Sequence, residues 1–86
     1  MKSYVVELHL PTGGAPAVAA AGERARSAAE QLAREGIAVR CVRSVYVPED
    51  ETCLLVFEAE SPDAVDRAGR RAQLAYERIV EGGSAT

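Results

Sequence analysis

Residues 37–59 read IAVRCVRSVYVPEDETCLLVFEA, two apolar runs on either side of a short polar turn. The first run is rich in Val and the second is almost wholly apolar, a composition typical of β-strands. The turn PEDE at residues 48–51 is short enough to connect two neighbouring antiparallel strands. The stretch therefore predicts a β-hairpin, with strands at residues 37–47 and 52–59.

A strand and a helix are predicted before this hairpin. Residues 2–10 partly alternate, with apolar side chains on one side of a strand and a mixture of apolar and polar side chains on the other. From about Pro16, small apolar residues recur at helical spacing. Gly36 is suited to the C-terminal cap of this helix, because glycine readily adopts the left-handed conformation found there.

A second helix and a last strand follow the hairpin. Ser61 and Pro62 suit the N-cap and the first helical position, and residues 76–80 can form a short strand. The order is then β-α-β-β-α-β. With right-handed crossovers this order predicts an α+β fold, the ferredoxin-like plait, in which both helices cover one face of a four-stranded antiparallel sheet.

Length and charge exclude several classes of protein. The 86 residues allow a single domain, residues 1–86, in which residues 81–86 are expected to form a flexible tail. The net charge of −3 argues against a nucleic-acid partner. No apolar run approaches the ~18 residues that would cross a membrane, and the N-terminus lacks the apolar region of a signal peptide. We therefore expect a cytoplasmic protein.

The hairpin also predicts a register and a partner. If the residues flanking the turn face each other, Cys53 lies opposite Tyr46 and Cys41 lies opposite Glu58. The two thiols are then about 16 Å apart along the ladder, too far for a disulfide. Both faces of the hairpin are largely apolar, yet two helices cover only one. The uncovered face predicts a homodimer formed by sheet-on-sheet packing.

Polar side chains on the mainly apolar strands are the candidate site residues. Glu7, His9, Glu58 and Arg43 are placed on the sheet face opposite the helices. With His9, Glu7 and Glu58 as ligands, this set is suited to holding a metal ion or moving a proton. The alternative is a diagonal ion pair between Arg43 and Glu58, with Glu7 and His9 at a solvated strand end.

Other side chains are candidates for contact with a ligand. On the hairpin these are Arg43, Tyr46 and Cys53. A basic cluster around the second helix either holds a phosphate or carboxylate or is a solvated helix face; it consists of Arg67, Arg70, Arg71 and Arg78. No nucleophile–base pair is visible, so no catalytic residue is assigned and a binding protein is favoured over an enzyme.

Four segments carry further recognisable motifs: YVVE at residues 4–7, RSVYVPEDETC at 43–53, FEA at 57–59, and RRA through RIVE at 70–81. Together they resemble an actinobacterial domain-of-unknown-function family of small nickel-binding-type proteins. The resemblance implies a ferredoxin-like homodimer and, for some members, nickel as the bound metal.

The chain departs from that family on and after the second helix. Ala68 occupies the position of a His in members of the nickel-binding type, and Gln73 and Ala75 replace a Gly and a Pro. The hypothesis that follows is a homodimeric, non-enzymatic binding protein whose own residues support nickel binding poorly. The alternatives are a small-molecule-binding protein or cofactor-free isomerase or cyclase, using a sheet–helix or dimer cavity, and an interaction module.

Overall fold

The computed structural model describes residues 1–82 as two helices packed on one four-stranded antiparallel sheet. The strand order is β2-β3-β1-β4, and the thickness of 17 Å corresponds to one sheet and one layer of helices. This arrangement confirms the predicted ferredoxin-like plait. The elements are β1 (Lys2–His9), α1 (Gly14–Arg34), β2 (Val39–Val47), a short 3-10 turn (Pro48–Asp50), β3 (Thr52–Ala59), α2 (Pro62–Arg71) and β4 (Tyr76–Gly82).

Both helices end in the same hydrogen-bonded motif. At the end of α1, the N–H of Ile37 donates to the carbonyl of Leu32, and Gly36 occupies the left-handed position with φ +90°. This is the Schellman motif that glycine favours, as the sequence predicts. At the end of α2, Leu74 donates to the carbonyl of Gly69, but the left-handed position holds Gln73.

The core lies between the helices and one face of the sheet. Tyr4 and Phe57, its largest buried side chains, face each other on the central strands β1 and β3. The helices contribute mostly alanines, and such small side chains let a helix lie close to a sheet. The α1 residues in this core are Val18, Ala21, Ala25, Ala28, Ala29 and Leu32.

A bulge in β2 changes the predicted hairpin register. Val42 has no ladder partner, and the pairing shifts by one residue between Cys41 and Arg43. Beside the turn the register is as expected, with Tyr46 opposite Cys53. Beyond the bulge the prediction is wrong: Cys41 faces Phe57, not Glu58, because one extra residue in β2 opposes the same length of β3.

The C-terminal strand is longer than the sequence indicates. Glu81 and Gly82, which were expected to begin a flexible tail, belong to β4, where they pair with Tyr4 and Ser3. Residues 83–86 of the expected tail lie outside the described residues. Within residues 1–82, neither helix is long and apolar enough to cross a membrane.

Substitution by alanine is expected to change stability in opposite directions at two helical glycines. A Cβ on Gly69 would lie 2.7 Å from Cε1 of Tyr76, whose hydroxyl donates to Asp66 and so fixes the ring. A Cβ on Gly22 meets its nearest atoms at 3.5 Å or more, an ordinary contact distance. We expect Gly69→Ala to destabilise by about 1–3 kcal/mol through overpacking, and Gly22→Ala to stabilise by about 0.5–1 kcal/mol through helix propensity.

Urea unfolding of the wild type and both variants measures this difference. A Gly69→Ala protein as stable as wild type would contradict the packing described for Tyr76.

Candidate functional site

The sheet face that the helices leave uncovered, here called the open face, presents an apolar centre. Val5 lies opposite Val56 on β3 and Val80 on β4, and Leu54 lies opposite Val45 on β2. Val5, Val56 and Leu54 are half-buried by their neighbours, whereas Val45 and Val80 are exposed. Five aliphatic side chains therefore form one contiguous patch that crosses all four strands.

Charged side chains border this patch in two ion pairs. Nε of Arg78 on β4 donates to the carboxylate of Glu7, its cross-strand neighbour. On the other side, Arg40 donates to Oε1 of Glu58 from Nε at 2.8 Å and from Nη2 at 2.5 Å. Arg43 lies beside the patch, opposite Val56, and contacts no carboxylate among residues 1–82. Among the described residues, the border therefore carries one unpaired cation, Arg43.

The predicted ion pair between Arg43 and Glu58 is wrong for the same reason as the hairpin register. The bulge at Val42 moves Arg40 to the position opposite Glu58. Arg40 and Arg43 lie on the same face of β2 although they are three residues apart. In a regular strand only residues separated by an even number share a face, so two exposed arginines at this spacing are the sequence signal of a bulge.

His9 lies at one corner of the open face, exposed and opposite Thr52. The adjacent residue Leu10 donates its N–H to the carbonyl of Glu51 at 2.7 Å, so the end of β1 is held against the hairpin turn. That turn carries the exposed carboxylates of Glu49 and Asp50. The imidazole is therefore near an acidic segment, which favours cations at this corner.

The structure brings only two of the three predicted metal ligands near each other. Glu7 and His9 are two residues apart on the same face of β1, about 6.6 Å along the strand. Glu58 lies opposite Ser3, four ladder positions from Glu7's neighbour Leu54, or about 13 Å away. Within residues 1–82, no group of three or more His, Cys, Asp or Glu side chains is placed to hold a metal ion. The described part of one chain therefore does not supply a closed nickel site.

The three predicted ligand-contact residues lie on two different sides of the sheet. Arg43 is exposed on the open face, whereas Tyr46 and Cys53 point toward the helices. Cys53 is fully buried and Tyr46 is half-buried against the core. These residues do not form one site.

Both thiols are free, and burial raises the pKa of each. For Cys41 the effect of burial outweighs the opposing effect of the nearby Arg26. A raised pKa leaves less thiolate at neutral pH, and the thiolate is the form that binds metals and attacks electrophiles. Neither cysteine is therefore suited to act as a ligand or nucleophile in the single chain.

The predicted arginine cluster around the second helix is largely neutralised. Arg67 and Arg70 each contact an acid four residues earlier on α2, and Arg71 pairs with Glu35 at the end of α1. Arg71 holds the pKa of Glu35 below its ordinary value. Arg78 lies on β4, not on the helix.

A different arginine, which the sequence analysis did not single out, links the two helices. Nε of Arg24 on α1 donates to the backbone carbonyl of Ala72 at 3.0 Å, across the end of α2. No pattern in the sequence indicates this contact, because it depends on how the two helices pack.

Two comparisons with known proteins found a match. A family model described as "Nickel responsive protein SCO4226-like" matches residues 4–81. The chain belongs to this family. A crystal structure of SCO4226 from Streptomyces coelicolor A3(2) superposes with a TM-score of 0.68 at 16% sequence identity, covering 98% of this chain and 99% of that one. No match was found among the curated proteins.

Membership of the SCO4226-like family agrees with the resemblance seen in the sequence. Ala68, where that resemblance implies a helix His in members of the nickel-binding type, is fully buried in the core. An imidazole at this position would have to displace core side chains. The helix position therefore adds no ligand to the open face in this chain.

Thiol modification tests the burial described for the two cysteines. We expect iodoacetamide at neutral pH to modify Cys41 several-fold more slowly than an exposed cysteine, and to leave Cys53 unmodified until the protein unfolds. Mass spectrometry of native and urea-unfolded samples gives both rates. Rapid modification of Cys53 in the native protein would contradict its place in the core.

Proposed function

We propose that the protein is a homodimeric member of the SCO4226-like family that pairs through its open face. The observation that carries this proposal is the contiguous aliphatic patch of Val5, Val45, Leu54, Val56 and Val80. On a four-stranded sheet of eight-residue strands, one face has a projected area of about 500 Å². This area is near the lower end of what each partner contributes to a specific interface, about 600 Å².

The border of the patch is suited to a second copy. In a two-fold dimer the same surface meets itself, so apolar centres pack together and charged borders lie at the rim. The Glu7–Arg78 and Arg40–Glu58 pairs leave Arg43 as the single uncompensated charge of the border within residues 1–82. A surface without a strong charge of one sign does not repel its own copy.

We also propose that the protein binds a Ni²⁺-type divalent ion weakly, with His9 as the principal donor. The family's description and the exposed imidazole beside Glu7 support this assignment. Two donors are fewer than the four of a closed transition-metal site. Arg78 also forms an ion pair with the carboxylate of Glu7, so a metal ion must displace this guanidinium to bind both Glu7 and His9.

Dimerisation is tested by a charge in the centre of the patch. In Val56→Glu a carboxylate opposite Arg43 would be buried between two copies. Removing both charges from water costs several kcal/mol, which shifts the dimer to monomer. Because Val56 lies on the open face of a single chain, the monomer should stay folded. The matched control is Ala20→Glu, at an exposed position of α1 on the other side of the molecule.

Light scattering at about 50 μM distinguishes the states, since apparent dimer stability depends on concentration. We expect wild type and Ala20→Glu at about twice the chain mass of 9.1 kDa, and Val56→Glu near the chain mass with native circular dichroism. Wild type at the mass of one chain would contradict the proposal.

Calorimetric titration with Ni²⁺ tests the metal assignment. We expect a Kd of tens of micromolar for wild type, about −6 kcal/mol. His9→Gln should abolish the binding, because it removes the imidazole. Arg78→Gln should strengthen it several-fold, because Glu7 is released from its ion pair and a nearby positive charge is removed.

Three results would each overturn this assignment. A wild-type Kd below about 1 μM contradicts weak binding through His9 and Glu7, and the absence of binding up to about 1 mM removes the site. Equal affinity in wild type and His9→Gln would place the ion elsewhere.

A further inference from the structure

The ends of the two helices differ in a way that points to a second site. Both helices end in the Schellman motif, and α1 has Gly36 at its left-handed position. At the equivalent position α2 has Gln73, with φ +57°. A residue with a Cβ is strained in this region, and glycine is not. Gln73 therefore carries a side-chain amide at a helix end where glycine would have no side chain.

The Gln73 side chain lines a groove between α1 and the end of α2, with a volume of about 320 Å³. This volume is at the lower end of the range for small-molecule sites. The polar side chains that line it are Glu23, Arg24, Ser27, Gln31, Arg71 and Gln73. Two amides and a hydroxyl therefore lie around two guanidinium groups.

Arg24 is held in this groove with part of its guanidinium free. Its Nε donates to the carbonyl of Ala72 at 3.0 Å, which fixes the plane of the group. Within residues 1–82 no carboxylate lies within 4.0 Å of it, whereas both terminal nitrogens of Arg71 bond Glu35. The two terminal nitrogens of Arg24 remain available for a two-point contact with a carboxylate.

We propose that this groove binds a small carboxylic acid that also carries an amide or hydroxyl group. Arg24 contacts the carboxylate, and Gln73 and Gln31 contact the neutral polar group. The ionisable lining consists of two arginines and Glu23, and Glu35 offsets Arg71. The two arginines and the two carboxylates cancel, and a groove without net charge favours a monocarboxylate over the more highly charged phosphate.

The first test uses N-acetylglycine as a probe and measures its binding by two-dimensional NMR titration at low ionic strength. We expect millimolar binding with shifts at the Gln73 amide and the Arg24 Nε–H. The methyl ester of the probe, which lacks the charge, should not bind. Arg24→Gln should weaken binding about tenfold, the loss of one charge-assisted contact of about 1.4 kcal/mol. The control Arg26→Gln makes the same charge change on α1 outside this groove and should leave the affinity unchanged.

The second test separates binding from folding. Gln73→Gly should raise the melting temperature by about 4 °C or more, because strain is relieved, while weakening the probe several-fold. The control Glu51→Gly relieves the other positive-φ residue, φ +51°, in the β2–β3 turn. It should raise the melting temperature and leave probe affinity unchanged.

Several outcomes would overturn the proposal. The first is the absence of NMR shifts at Gln73 and Arg24 up to about 50 mM probe, a range in which only binding weaker than about 2 kcal/mol escapes detection. The second is equal binding of the acid and its methyl ester. The third is tighter binding of inorganic phosphate than of N-acetylglycine. Unchanged probe affinity in both Arg24→Gln and Gln73→Gly would also contradict it. None of these results depends on the dimer or on the metal.

Discussion

Two helices cover one face of a four-stranded sheet, and the side chains on the other face must be solvated or covered by another chain. The constraint originates in β1, a central strand whose alternate residues Tyr4 and Val6 fill the core while Val5 and Glu7 point away from it. Because β1 and β3 are the inner strands, their outward residues lie in the middle of the open face. The apolar residues Val5, Leu54 and Val56 at that centre make solvation costly.

Those parts of the fold that depend on local chemistry could be predicted from the sequence. Alternation defines both faces of β1, Ser61 caps α2 by accepting from the N–H of Ala64, and Gly36 ends α1. The register beside the hairpin turn also follows from local pairing. Whether a strand contains a bulge depends on its neighbour, so the predicted register is wrong for residues 39–42 of β2.

The candidate site was predicted less well because it depends on pairs of distant residues. The alternation of β1 placed Glu7 and His9 on one face, but no local pattern indicates that Arg78, 71 residues away, occupies Glu7. The same holds for Arg24, which contacts the carbonyl of Ala72 only because α1 and α2 pack side by side. The sequence shows Gln73 only as a departure from a family pattern, whereas its strained conformation is visible only in the structure.

In the proposed dimer, the open face is the contact between two copies of the chain. The most direct measurement is isotope-filtered NMR on a mixture of methyl-labelled and unlabelled protein, which detects contacts between chains only. We expect intermolecular nuclear Overhauser effects among the methyl groups of Val5, Leu54 and Val56. We expect none at Ala19 or Ala20 on the exposed side of α1. Intermolecular effects confined to the helices, or none at the open face at millimolar concentration, would contradict it.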